Sequence, residues 1–236
     1  IKYIFMNILE TFFKSVKLII HFDPLLFEII ILSLKVSFSA LIISSFFAVI
    51  LGYFLALKKF FFRDFFIILF NSLMGIPPVV VGLIVYFLFA RGGPLGVFEL
   101  LYTPFAMIVA QIIIIFPIVL SLSYEIFSQN WLRFKDHFLA LNIPFLGIMI
   151  ILIKNSYLFL ITILMTGFGR AISEVGAVMI VGGNIEHYTR VMTTAITLET
   201  RMGNLEYAMA LGFVLIILTI FINTIVYLIN NKREKN

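Results

Sequence analysis

Arg170 and Glu174 stand four residues apart in the stretch Gly167-Phe-Gly-Arg-Ala-Ile-Ser-Glu-Val-Gly176, inside a long apolar run. That spacing puts a guanidinium and a carboxylate on one helical face, where they can pair. Either charge alone in lipid would be costly to bury. The pair is therefore either a structural ion pair facing a helix bundle or a charged spot beside a transport path or its gate. Ser173 adds a hydroxyl, and Gly167, Gly169, Gly176, Gly182 and Gly183 surround the pair. So many glycines predict close helix contacts and a segment able to bend. Downstream, Thr189-Arg-Val-Met-Thr-Thr-Ala-Ile-Thr-Leu-Glu-Thr200 puts Thr193, Thr197 and Thr200 on one face if it is helical. Hydroxyls and one arginine suit an oxyanion, but threonines capping a surface helix would read the same.

Two other stretches carry information of a mechanical kind. Gly75-Ile-Pro77-Pro78 lies in the middle of an apolar segment. Each proline lacks an N–H and the residue before it avoids the helical region, so a kink or break is expected there. A kinked packing element is one reading. The other is a half-helix starting at Val79 whose free amides face an anion path. Trp131-Leu-Arg-Phe-Lys-Asp-His-Phe-Leu-Ala-Leu-Asn142 is short, charged and non-spanning, and leads into the run that ends at Gly182-Gly183-Asn184. A polar element on one membrane face is thus joined to a segment carrying charge into the membrane. That suits a protein that takes mechanical input from a soluble partner. Trp131, Phe134 and Phe138 read equally as interfacial anchors.

Catalytic signatures are missing. The chain has no G-x-x-x-x-G-K-[ST] phosphate loop, no H-E-x-x-H and no G-x-S-x-G. It has no cysteine, hence no disulfide or thiolate metal site, and His21, His137 and His187 form no ligand-spaced cluster. No catalytic residue, cofactor or metal is expected, and an intramembrane enzyme is disfavoured.

The elements that position these residues follow from composition. Hydrophobic residues make up 62% of the 236 and charged residues 12%, against about a quarter charged in soluble domains. The fold class is all-α, a polytopic membrane helical bundle in one domain, 1–236. Residues 1–22 predict an amphipathic interfacial helix with Asn7, Glu10, Thr11, Lys14 and Lys17 on one face and Phe5, Ile8, Leu9, Phe12, Phe13 and Val16 on the other. Asp23-Pro24 ends it. Spans are expected at roughly 28–57, 65–90, 104–127, 157–181 and 204–230. Ser44, Ala48, Gly52 and Ala56 give the first span a small-residue face for close packing. Lys35 either snorkels to the interface or lines a polar path. Thr103-Pro104 predicts an N-cap with proline at the first helical position, with Gln111 inside the third span and a kink at Pro117. The long run from 143 divides into a surface helix near 144–154 and the fourth span, with a polar outer segment at 182–203.

Five spans put the two ends of the bundle on opposite sides. Lys58, Lys59, Arg63, Arg133, Lys135, Lys232, Arg233 and Lys235 share one face, against Arg91, Arg190 and Arg201 on the other. The positive-inside bias then places 129–142 and the C-terminus in the cytoplasm of a multi-pass inner or plasma-membrane protein. The net charge of +5 reflects these flanks rather than a nucleic-acid partner. No cleavable signal peptide is evident.

Five stretches carry a family resemblance. They are Ser33-Leu-Lys-Val-Ser37, Asn71-Ser-Leu-Met-Gly-Ile-Pro-Pro-Val-Val-Val-Gly82, Gly93-Pro-Leu-Gly96, Gly169-Arg-Ala-Ile-Ser-Glu-Val-Gly-Ala-Val-Met-Ile-Val-Gly-Gly-Asn-Ile185 and Thr189–Thr200, together with Thr103-Pro104 and Gln111. They resemble the permease subunits of bacterial ABC importers of the molybdate and tungstate class, closest to the tungstate permeases. The resemblance implies the type I importer fold, a homodimer, two cytoplasmic ABC ATPase subunits and a periplasmic or extracellular oxyanion-binding protein. Such permeases carry a coupling helix marked Glu-Ala-Ala, three residues, then Gly. The matching positions here are Asp136-His137-Phe138 and Asn142, so Trp131, Phe134, Asp136, His137, Phe138, Ala140 and Asn142 are the expected ATPase contact in 131–142. Asp keeps the acid and Asn suits a left-handed turn, but His and Phe depart from two alanines. The expected path or gate residues are Pro77, Pro78, Arg170, Ser173, Glu174, Gly176, Gly182, Gly183, Asn184, Thr193 and Thr194. The expected cargo is tungstate, with molybdate or sulfate as alternatives. Two other classes are a secondary transporter, which would need inverted repeats and mid-membrane carboxylates, and a structural or assembly subunit, which would need neither the Pro-Pro break nor the charged fourth span.

Overall fold

The computed structural model describes the backbone of residues 2–21 and 23–234, and the side chains of 10–21, 23–228 and 231. The helices are α1 (Lys2–Ile20), α2 (Pro24–Leu57), α3 (Arg63–Leu73), α4 (Pro78–Phe89), α5 (Pro104–Ala140), α6 (Phe145–Ile172), α7 (Gly176–Gly182), α8 (Met192–Met202) and α9 (Leu205–Glu234). Among the described residues, α2, α5, α6 and α9 are each long and apolar enough to cross a membrane. The α3–α4 pair makes a fifth unit, bent by 106° at its break. The architecture is an all-α helical bundle.

Local chemistry starts the two central helices. Asp23 Oδ1 accepts from the Leu26 amide at 3.0 Å and Pro24 takes the first position of α2. Thr103 Oγ1 accepts from the Ala106 amide at 3.4 Å, with Pro104 opening α5. The helices pack along the small face of α2, where Ser44, Ala48, Gly52 and Ala56 are all buried. A Cβ on Gly52 would stand 3.0 Å from the Leu120 carbonyl oxygen and the Tyr124 nitrogen, so the backbones nearly touch. At the far end Tyr53 meets Phe127 edge-on and donates to the Phe145 carbonyl at 2.6 Å, fastening the start of α6 to α2. One core fills the space between α2, α5 and α6, around Ala48, Val119, Leu152 and Phe168. A second, smaller core joins α4, α5 and α7 through Val81, Val85, Met107 and Ala177.

Three features differ from the sequence expectation. First, α5 does not stop near 127; it runs unbroken through 131–140. Nothing between Phe127 and Ala140 is a helix breaker, and even Pro117 leaves the helix continuous. Second, Lys154-Asn155-Ser156 does not divide 143–181. Ser156 is buried inside α6 and accepts from Asn130 Nδ2 of α5 at 2.7 Å, so its polarity is satisfied across the pair. The division falls instead at 173–175, between α6 and α7. Third, α1 packs on α9 from both of its faces. Lys14 Nζ lies 2.8 Å from Glu206 and 3.2 Å from Glu10, Phe12 packs edge-on against Phe213, and Phe13 is 68% exposed. Glu10, Lys14 and Lys17 stay exposed. The side chains of Phe5, Asn7, Ile8 and Leu9 lie outside the described residues, as do those of Lys232, Arg233 and Lys235.

Candidate functional site

Two helix breaks meet inside the bundle. The first separates α3 from α4, because neither Pro77 nor Pro78 has an amide and Pro77 is extended (ψ 122°). Phe70 of α3 meets Phe116 of α5 edge-on, with ring centroids 5.8 Å apart. The amides of Val80 and Val81 both turn to the Pro77 carbonyl, at 3.0 and 3.4 Å. The Val80 and Val81 amides are thus engaged within the turn, and neither bond involves the Val79 amide. The structural job of this half-helix is close packing. A Cβ on Gly82 would lie 2.7 Å from Ala177 Cα, and one on Gly176 would lie 2.7 Å from Val79 Cγ2. Gly82→Ala must therefore push α4 off α7. It is expected to destabilise the protein by about 1–3 kcal/mol, as overpacking does, read as a lower unfolding temperature in detergent or nanodiscs.

The second break, 173–175, carries the charge. Glu174 is 4% exposed. Its Oε1 accepts from the Ala177 amide at 3.1 Å, so it caps α7, while Oε2 faces Arg170 Nη1 at 3.7 Å. The helix ends between the two residues, and their ion pair bridges the break rather than lying along one helical face. Thr193 Oγ1 donates to the Glu174 carbonyl at 2.7 Å, and Gln111 Nε2 donates to the Ala171 carbonyl at 3.1 Å. The break is thereby held by α8 on one side and α5 on another. Ser173 is exposed, its hydroxyl turned back to the Gly169 carbonyl at 2.9 Å, and the Arg170 side chain is 37% exposed. A half-open guanidinium and a serine thus face outward while the carboxylate stays inside. The buried Glu174 opposes part of the arginine's field at this spot.

Most of the remaining expected path residues are engaged in packing or hydrogen bonds. Thr193 and Thr194 are buried. Thr194 Oγ1 accepts from the Val191 amide at 3.1 Å, and the first α8 turn is also tied to α2 by the Met192 amide donating to Ser33 Oγ at 2.7 Å. Gly182 packs on Met107, and Gly183 (φ 69°) closes α7 where a Cβ would lie 2.8 Å from the Tyr102 ring. Asn184 is also left-handed (φ 52°), so the pair forms a tight exit from α7. Gly182, Thr193 and Thr194 are buried, whereas Gly183 is exposed and Asn184 half-buried. Gln111, noted in the sequence as a polar residue inside a span, is not among the expected path residues, although a lone amide in an apolar helix was an available signal.

At the opposite end of α5 the 131–142 segment divides by face. Phe138 is buried in the main core, stacks with Trp131 at 6.2 Å and meets Phe134 at a tilt at 6.3 Å, and all three pack on that core, so they hold the arm to the bundle. Asp136, His137, Ala140 and Asn142 are exposed, as are Leu132, Leu139 and Leu141. The leucines extend the expected contact surface beyond the residues that the sequence singled out. The arm stops in a left-handed turn at Asn142 (φ 49°), with Asn142 N donating to Leu139 O and Ile143 N to Phe138 O, both at 3.1 Å. This is a Schellman closure with asparagine where glycine is usual.

A cavity of about 800 Å³ lies elsewhere, between α1, α2, the 183–191 loop and the α8–α9 turn. Glu10, Glu28, Glu186, Glu199 and Glu206 outnumber Lys14, His187 and Arg190 in its wall, and each of those bases already faces a glutamate. Such a lining repels anions. Among the described residues there is no group of three or more metal-ligating side chains.

Residues 48–235 match the family described as binding-protein-dependent transport system inner membrane component. The chain is 40% identical, over 220 residues, to the tungstate uptake system permease protein TupB of Peptoclostridium acidaminophilum, covering 93% of this chain and 96% of that protein. It is 42% identical over 157 residues to a probable anion ABC transporter permease protein of Haloferax volcanii, with 64% and 68% of the two chains covered. To the tungstate uptake system permease protein TupB of Campylobacter jejuni it is 40% identical over 161 residues, 66% of each.

Proposed function

Because this chain belongs to the family of binding-protein-dependent transport system inner membrane components, we propose that it is the permease subunit of an ATP-driven tungstate importer. The observation that carries the substrate is the 40% identity to a tungstate permease across 93% of the chain. The protein is a multi-pass membrane protein working with an ATPase and a substrate-binding protein, as the family implies. In this reading it is itself non-catalytic. Two copies form the membrane unit, two ATPase subunits dock on the exposed side of the 131–142 arm, and the C-terminus is cytoplasmic. An extracytoplasmic binding protein delivers the anion and supplies most of the selectivity.

The geometry supports this division of labour. Non-helical backbone at membrane depth is tolerated only where protein or water covers it. The exposed Asn71, Ser72 and Gly75 at the α3–α4 break therefore favour a protein or aqueous neighbour over lipid, which suits a path between two copies. Arg170 and Ser173 give that path modest basic and hydroxyl character, and Pro77, Pro78, Glu174 and Gly176 shape its gate. ATP-driven closure of the ATPases draws the arms together and opens the bundle outward; hydrolysis resets it. Linkage requires ATP and the loaded binding protein to favour the same state.

The test is co-reconstitution with the ATPase and binding protein, measuring ATP-dependent uptake of labelled tungstate. Uptake that needs all three components is expected. Uptake without the ATPase would overturn the reading, and stronger competition by molybdate or sulfate than by unlabelled tungstate would reassign the cargo.

A further inference from the structure

Gln111 is 4% exposed, two turns into the apolar start of α5. Its Nε2 reaches across to α6 and donates to the Ala171 carbonyl at 3.1 Å, one residue from the end of that helix. The same carbonyl accepts from the Glu174 amide at 3.2 Å, so the bond lands directly on the break that carries the Arg170–Glu174 pair. The other half of the amide, Oε1, is buried and has no hydrogen-bond partner among the described residues. Gln111 also sits on α5, the helix whose other end is the exposed arm around Asp136. At 1.5 Å per residue the two positions are roughly 37 Å apart along one continuous helix.

We infer that Gln111 is a positioning residue that ties the α6–α7 break to the far end of α5, so that displacement of the arm is passed to Arg170 and Glu174. The inference rests on the importer reading given above. A side-chain amide bonded to a helix-end carbonyl is a directional link, unlike apolar contacts, which slide. An unmatched buried oxygen also weighs against the present arrangement, so the amide does not lock the break in one state. Pro117 lies between Gln111 and the arm and removes the hydrogen bond to the Ile113 carbonyl, giving α5 a place to flex. No other polar contact between the side chains of α5 and the residues of the break is needed for the transfer.

The experiment compares wild type, Gln111→Leu and Gln111→Asn, each reconstituted with the ATPase and binding protein, and reads tungstate taken up per ATP hydrolysed. Gln111→Leu removes donor and acceptor at similar volume. Its uptake per ATP is expected to fall by about tenfold, the scale of one buried hydrogen bond, while ATPase co-purification persists. Gln111→Asn keeps the amide on a shorter arm and is expected to recover part of the ratio. An unchanged ratio in Gln111→Leu would overturn the inference. So would uptake and ATP hydrolysis falling in equal proportion, which is what a purely structural residue gives. Failure of the wild type to take up tungstate would instead count against the importer reading itself.

Discussion

Asp136→Lys is expected to strip the ATPase subunit from the purified permease while leaving the permease itself folded in the membrane. Asp136 is exposed on the outer side of the α5 arm, next to exposed His137 and Ala140. Its neighbours Trp131, Phe134 and Phe138 carry the packing that holds the arm to the bundle. Reversing the charge therefore disturbs the surface and not the support. Where an acid meets a complementary groove, a lysine puts like against like, and such juxtapositions cost several kcal/mol. Association is expected to weaken by about a hundredfold or more, the equivalent of about 3 kcal/mol. Co-purification of the two subunits measures the effect, with membrane yield and thermal stability of the permease as controls. Normal co-purification at moderate salt would remove Asp136 from the docking surface.

Glu174→Ala should abolish most uptake at little expense in folded protein. The carboxylate does three things at one break: it caps α7 through the Ala177 amide, faces Arg170, and fills space beside Gly176. Loss of the cap costs about 1 kcal/mol. The Arg170 side chain is more than a third exposed, so it can turn to water and its lost partner weighs little on stability. Function is different, because the guanidinium would no longer be opposed by a buried negative charge. The anion would be held too tightly and the break would lose the contact that sets its shape. Uptake is expected to fall by about tenfold or more, the scale of a 1.4 kcal/mol shift between the two open states, with protein level near wild type. Loss of the protein from the membrane would assign the pair to folding alone.

Much of the site was visible before any coordinates. Arg170 and Glu174 stood out because charge in an apolar run is rare and must be answered. The Pro77-Pro78 break followed from two missing amides, and Asn142 from the need for a left-handed residue. What the residues could not convey was which neighbour answers each group. Thr193 has the chemistry of an anion ligand, yet its hydroxyl is engaged by the Glu174 carbonyl. Val79 was the first amide after a proline break, yet Pro77 draws in the next two. Gln111 matters only because α6 ends beside it, a fact 60 residues away in sequence. Leu132, Leu139 and Leu141 are exposed while Phe138 between them is buried, a division that residue type alone does not convey.

The sequence by itself determined the all-α bundle, the membrane setting, the small-residue face of α2 and the break at Pro77-Pro78. Composition, period and missing amides are local properties, and they act through the backbone. Only the tertiary structure decided that α2 lays that face on α5, that α5 is one helix from Pro104 to Ala140, that α6 runs past Ser156 to a break at 173–175, and that Lys14 of α1 meets Glu206. Each of those outcomes depends on a partner group distant in the chain. A buried polar side chain breaks a helix or passes through it according to whether such a partner is within reach, and reach is set by packing.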